Sequence, residues 1–206
     1  RGLVSVAQGL LVVAGVVYSG MVAWSGVLGG RVTDAASLTR AYEWQERLGL
    51  DARKTALALA ELSPEKEEQY LLKAAQGEHP PVDALVRLSL RAEFGGRREE
   101  AIQYMERAVE SERKYRVLLA AATQAARLGD EDRLLRRAAE ALRYCPRDAD
   151  DVFGLLVRAP RGAAVLAGAR RAQREEYLRF LIGRQEYLAA LEYQAELEGS
   201  ARVEEL

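Results

Sequence analysis

The chain has 206 residues, 49% of them hydrophobic and 30% charged, with a formal net charge of −1. That balance removes any global case for nucleic-acid binding, and a single cysteine, Cys145, excludes an internal disulfide and gives no clue to redox compartment. The length allows one ordinary domain plus an appendage. The chain opens at Arg1 and stops within a helical pattern at Leu206, so it reads as a fragment open at both ends.

From Gly2 to Gly30 no side chain is charged at neutral pH, and Arg1 and Arg31 bracket the run. About 20 apolar residues cross ~30 Å of hydrocarbon, so residues 1–31 are expected to form a single-pass transmembrane anchor. A cleaved signal peptide has a shorter apolar region and a small-residue cleavage site, of which Gly29-Gly30 is only a weak version. Gly15, Ser19 and Ala23 recur at every fourth residue, and Gly26 and Gly30 form a GxxxG. A small-residue face lets a second helix approach closely. These five residues are therefore the expected packing surface for other membrane-protein subunits, although glycine is also simply frequent in membrane helices. The charges that the positive-inside rule would count lie before Arg1, so orientation stays undecided. A lone N-terminal anchor acts as an uncleaved signal, which would place the bulk in an extracytoplasmic, periplasmic space.

Residues 32–48 read as a polar exit and a connecting helix, with Asp34 and Ser37 as candidate N-caps and Leu38, Tyr42, Gln45 and Leu48 along one side. Gly49 ends it. Over residues 49–147 three helix pairs follow, 50–62 with 65–77, 83–94 with 99–112, and 115–128 with 130–144. Ser63 and Asp83 are the expected caps of the helices they precede, and Pro64 suits a first helical position. Ser63, Gly96 and Gly129 stand 33 residues apart; so do Ala56, Ser89 and Ala122, and again Ala75, Ala108 and Ala141. A fixed period of this length marks stacked supersecondary units. Small residues at matched positions let the two helices of a hairpin approach closely.

The string Gly96-Arg-Arg-Glu-Glu-Ala101-Ile-Gln-Tyr-Met-Glu-Arg-Ala108 resembles the second half of a tetratricopeptide repeat. The next unit keeps Gly129, Ala138, Ala141 and Pro146 but has Leu134 where that family has Ala, and Ser63 and Glu68 replace the family's Gly and Ala in the first unit. The resemblance implies degenerate repeats coiled into an α-α superhelix, with the first helix of each pair lining a concave groove. Groove residues would then be Arg87, Leu90, Arg116, Thr123 and Arg127. The order of anchor, repeats and C-terminal motifs is also similar to membrane-anchored repeat proteins of GC-rich bacteria, whose biochemical role does not transfer.

Over residues 148–206 Asp148 is expected to cap a helix to Val157, Pro160 to break it, and Arg161–Ala172 to form an Ala-rich helix. A last pair, 174–182 and 185–197, turns at Gly183, with Tyr177, Leu178, Leu181, Leu188, Leu191 and Ala195 as apolar positions returning at helical spacing; Gly199-Ser200 closes it. No stretch alternates long enough for a strand. The soluble part is predicted to be all-α, with about four to five helix hairpins.

Chemistry is sparse. His79, the only histidine, sits in a Pro-Pro turn; an axial metal or pigment ligand is the sharper reading and a solvated turn residue the plainer one. No metal-ligand spacing or phosphate loop occurs. Carboxylates such as Glu65, Glu67, Glu68, Glu99 and Glu100 fall in first turns, where the helix dipole favours them. Neither enzymatic activity nor a cofactor is expected. Charge is uneven, with 16 basic against 9 acidic residues from Arg113 to Arg184. A basic repeat surface would hold acidic or helical protein segments, or face anionic lipid. Two functional classes follow: an anchored scaffold for protein–protein interaction, and a constitutive accessory subunit of an energy-converting, export or polymer-synthesis complex. A third, weaker class is a lipid- or polysaccharide-handling enzyme whose catalytic domain follows Leu206.

Overall fold

The structure, a computed structural model, describes residues 35–145 and 149–204, with side chains to Ala195. All regular secondary structure among the described residues is helical. The anchor expected over residues 1–31, with Gly15, Ser19, Ala23, Gly26 and Gly30, lies outside them. Among the described residues no helix is long and apolar enough to cross a membrane. The chain divides into two compact units at Gly95–Gly96.

The first unit contains α1 (Ala35–Arg47), α2 (Arg53–Leu62), a 3-10 turn (Pro64–Lys66) running into α3 (Glu67–Ala74), and α4 (Val82–Phe94). Leu38 and Tyr42 of α1 are buried, and the Tyr42 ring meets Tyr70 of α3 edge-on at 5.8 Å. Leu48, expected on the same stripe, is 42% exposed because the chain turns off the helix at Gly49, whose φ of 66° is left-handed. Arg53 at the start of α2 holds Asp51 through Nε and Nη2 and donates Nη1 to the His79 carbonyl at 2.8 Å. That bond ties down the turn before α4. Two expected caps fail here. Ser63 makes no side-chain cap bond, and Pro81 rather than Asp83 occupies the cap of α4, leaving Asp83 inside the first turn. Pro81 fixes its own φ and starts the helix two residues early.

The second unit contains α5 (Arg98–Ser111), α6 (Tyr115–Arg127), α7 (Glu131–Tyr144), α8 (Asp150–Leu156), a 3-10 segment (Gly162–Gly168), α9 (Arg171–Gly183) and α10 (Tyr187–Glu204). α6 and α7 pack closely on one another, and Ala121, Ala122 and Ala125 of the first and Ala138 and Ala141 of the second are all fully buried. Gly129 turns the pair at φ 68°, and the Asp130 side chain caps α7 by accepting the Arg133 N–H at 3.1 Å. The columns of small residues keep their register in both units. Ala56, Ser89 and Ala122 are each at most 1% exposed, and Ala75, Ala108 and Ala141 at most 6%.

The C-terminal part departs from expectation in four places. Arg161–Ala172 is not an α-helix: Ala-rich propensity is overridden because Gly162 passes so close to α8 that a Cβ there would meet the Leu156 carbonyl oxygen at 1.9 Å. The last turn has its left-handed residue at Gln185 (φ 62°), with Gly183 ending α9. α10 runs through Gly199-Ser200 to Glu204, since one glycine costs a helix only about 1 kcal/mol. The buried face of α10 carries Ala190 and Tyr193, while Leu188 and Leu191 are 79% and 64% exposed. Tyr193 is drawn inward by Tyr177, whose ring it meets edge-on at 5.1 Å.

Candidate functional site

The five residues expected in a groove are divided between the units. In the first, α4 carries Arg87 and Leu90, both partly buried. Arg87 is engaged within the fold: Nη2 donates to Glu67 and to the Ala60 carbonyl at 3.4 Å, and Nη1 lies 3.6 Å from Glu61. One turn on, Arg91 Nη1 donates to the other oxygen of Glu67. A carboxylate at the start of α3 is thus held by two guanidiniums of α4. Arg87 above all holds the Glu67 carboxyl below its usual range, with Arg91 adding to the effect.

That depression fixes a sign. A carboxylate whose folded pKa lies below its unfolded value contributes stability above the ordinary range, about pH 4, and loses it as pH falls through the folded value. Amide protection of α3 and α4 is therefore expected to decline on acidification in the wild-type chain. The E67Q variant should start less protected and show a shallower decline. Parallel acid profiles for the two proteins would mean that the pairing contributes nothing.

In the second unit Arg116, Thr123 and Arg127 lie on α6 at spacings of seven and four, which place them on one side of the helix. Arg116 and Arg127 are exposed. The Thr123 hydroxyl donates to the Leu119 carbonyl at 2.8 Å, so its polarity is largely spent on its own helix. Arg127 falls in the last turn, where the dipole favours a cation. Thr123 and Arg127 come together at the edge of a cavity of about 530 Å³, bounded across from α6 by Leu155, Arg158 and Ala159. Arg116 is not part of it; 11 residues of helix put it about 16 Å down the axis.

Sequence reasoning missed Arg158 and the cavity. The available signal was Pro160, which cuts α8 short beside a longer neighbour. It also missed a buried ion cluster: Glu106 of α5 accepts from Arg133 Nε at 2.8 Å and Nη2 at 2.7 Å, and from Arg137 Nη2. Arg133 and Arg137 are only 4% and 9% exposed. Like charges four residues apart on a helix repel, so the Arg87/Arg91 and Arg133/Arg137 spacings each implied an acid from elsewhere.

His79 is exposed in its turn, and among the described residues no group of three or more His, Cys, Asp or Glu is placed to hold a metal. The described chain is therefore an all-α protein of short, closely packed helices with a half-open cleft in its second unit. No family model matches the chain, and no curated protein matches it.

Proposed function

We propose that the chain is a membrane-anchored helical-repeat scaffold of tetratricopeptide type that gathers partner proteins at a membrane, its helical bulk on the extracytoplasmic side. The observation that carries the reading is the burial of small residues at 33-residue intervals in both units. That register is what stacked hairpins need to approach closely, and stacked hairpins present extended surfaces for other chains. The charge-free run before Arg31 supplies the anchor, and the exposed arginines of α6 supply a recognition face for acidic or helical segments.

A second reading, a permanent accessory subunit of a larger membrane complex, draws support from α9 and α10. Ile182, Tyr187, Leu188 and Leu191 are each at least half exposed there, and apolar surface of that kind is covered in obligate assemblies. Gentle detergent extraction from source membranes followed by native mass measurement separates the two. A constitutive subunit arrives at fixed stoichiometry, whereas a scaffold arrives alone or with substoichiometric partners. If the protein leaves the membrane without detergent, both readings fall.

A further inference from the structure

We propose that the outward face of α1 lies against the phospholipid headgroups, with Trp44 and Leu48 in the interfacial layer and Arg40 and Arg47 on lipid phosphates. The proposal rests on the anchored reading above and adds where the helical part meets the bilayer.

The face follows from how α1 is held. Leu38 and Tyr42 are buried and define its inward direction. At about 100° per residue, an arc of about 120° on the far side takes in Ala36, Ser37, Arg40, Trp44, Arg47 and Leu48. Leu48 belongs to it because its N–H still returns to the Trp44 carbonyl, at 3.0 Å. The acids of α1 fall to one flank. Glu43 borders the arc, and Glu46 beyond it is engaged, accepting from the Tyr42 hydroxyl at 2.5 Å and from Lys73 Nζ at 3.3 Å.

Trp44 and Leu48 are 50% and 42% exposed, and Arg40 and Arg47 are exposed as well. Among the described residues neither of these guanidiniums has a hydrogen-bond or ion-pair partner. Arg53, Arg87, Arg91 and Lys73 of the same unit, by contrast, each hold a carboxylate.

Position selects the occupant. The uncharged run ends at Gly30, and only residues 31–34 separate it from Ala35. Five extended steps of chain reach at most about 17 Å, and the headgroup layer is itself about 5–8 Å deep on each side. With α1 laid along the surface, the whole arc comes to headgroup depth. With α1 upright, Trp44 is carried about 14 Å further out. Tryptophan is enriched at that depth because its ring is apolar and its indole N–H needs an acceptor. Guanidinium groups take phosphate bidentately. An aromatic–aliphatic pair beside two unengaged arginines therefore matches a layer that offers acyl-chain boundary and phosphate together.

The test uses the full chain carrying Trp24→Phe, which leaves Trp44 as the sole tryptophan. It is reconstituted in phosphatidylcholine vesicles with about 30% phosphatidylglycerol. Lipids brominated close to the headgroup should quench at least about half of the Trp44 emission. Arg40→Glu combined with Arg47→Glu should lower that quenching at least ~3-fold, while Arg116→Glu on α6 leaves it unchanged. Flotation on a density gradient reports the anchor separately, and circular dichroism verifies that each variant folds. Protein that floats with Trp44 open to acrylamide and untouched by bromolipid overturns the proposal and spares the anchor. Trp44 shielded from acrylamide yet untouched by bromolipid also overturns it, and gives the face to protein, a second copy included. Equal quenching with and without the two arginines, or an equal loss in R116E, overturns it as well. Protein that fails to float takes down the anchor and this contact together.

Discussion

Phe153→Ala is expected to reduce the opening free energy of α8, α9 and α10 by about 3–5 kcal/mol, the range for deleting a buried aromatic ring. Phe153 is fully buried and joins α8 to α9. Its ring meets Tyr177 at 5.2 Å and Phe180 at 5.7 Å, and Tyr177 passes the contact on to Tyr193 of α10 at 5.1 Å. Each such pair adds ~0.5–1.5 kcal/mol beyond area burial. α8 has seven residues, and an isolated helix that short is not stable in water, so the ring rather than the backbone holds it in place. The last hairpin also depends on it, because Leu188 and Leu191 face solvent and leave Ala190 and Tyr193 as the inward contacts. Hydrogen exchange on the full chain should show the loss in α8–α10 with α2–α4 unchanged. A decrease below about 1 kcal/mol would mean the C-terminal part is held by something other than this aromatic set.

Helix positions in this chain were legible because Gly and Pro punctuate it strongly. Gly49, Gly96 and Gly129 sit at left-handed turns, and α6 and α7 end within a residue or two of where apolar spacing places them. Burial of the 33-residue columns was legible for the same reason, since only small residues fit where helices touch. What failed depended on tertiary contact. Ala163, Ala164 and Ala167 favour an α-helix locally, yet they lie in a 3-10 segment that begins at Gly162, where a Cβ would meet the Leu156 carbonyl oxygen at 1.9 Å. Leu188 and Leu191 outrank Ala190 and Tyr193 on any hydropathy scale, yet the ring of Tyr177 decides which face turns inward. For the candidate site the repeat resemblance had named Thr123 and Arg127 as groove residues, but the cleft they edge exists only because the neighbouring helix is truncated, and a helix's spatial neighbour is not written in its own periodicity.

Glu106→Ala is expected to cost about 3–5 kcal/mol in the second unit, although Glu106 is a charged residue with a side chain 30% exposed. The cost arises from what remains behind. Arg137 keeps Glu140, whose Oε2 lies 2.7 Å from its Nη1. Among the described residues Arg133 keeps the Ile102 carbonyl at 3.4 Å, a weak acceptor for a guanidinium that is 4% exposed. Taking one partner from a buried pair leaves a charge that the low-dielectric interior does not solvate, whereas replacing both by apolar groups is often neutral. Glu106→Gln retains an oxygen acceptor and should cost roughly half as much, because bonds to charged groups contribute about 1.5–3 kcal/mol against about 1 for neutral ones. Arg133→Met added to Glu106→Ala should therefore recover most of the loss, giving a coupling of at least ~2 kcal/mol in a double-mutant cycle. The similar clamp of the first unit provides the control: Arg87 and Arg91 have side chains 27% and 40% exposed, so Glu67→Ala should cost only about 1 kcal/mol. If the two alanine variants lost stability equally, burial would not be what distinguishes the clamps. If Arg133→Met failed to restore the Glu106→Ala protein, the carboxylate would be acting through packing rather than charge.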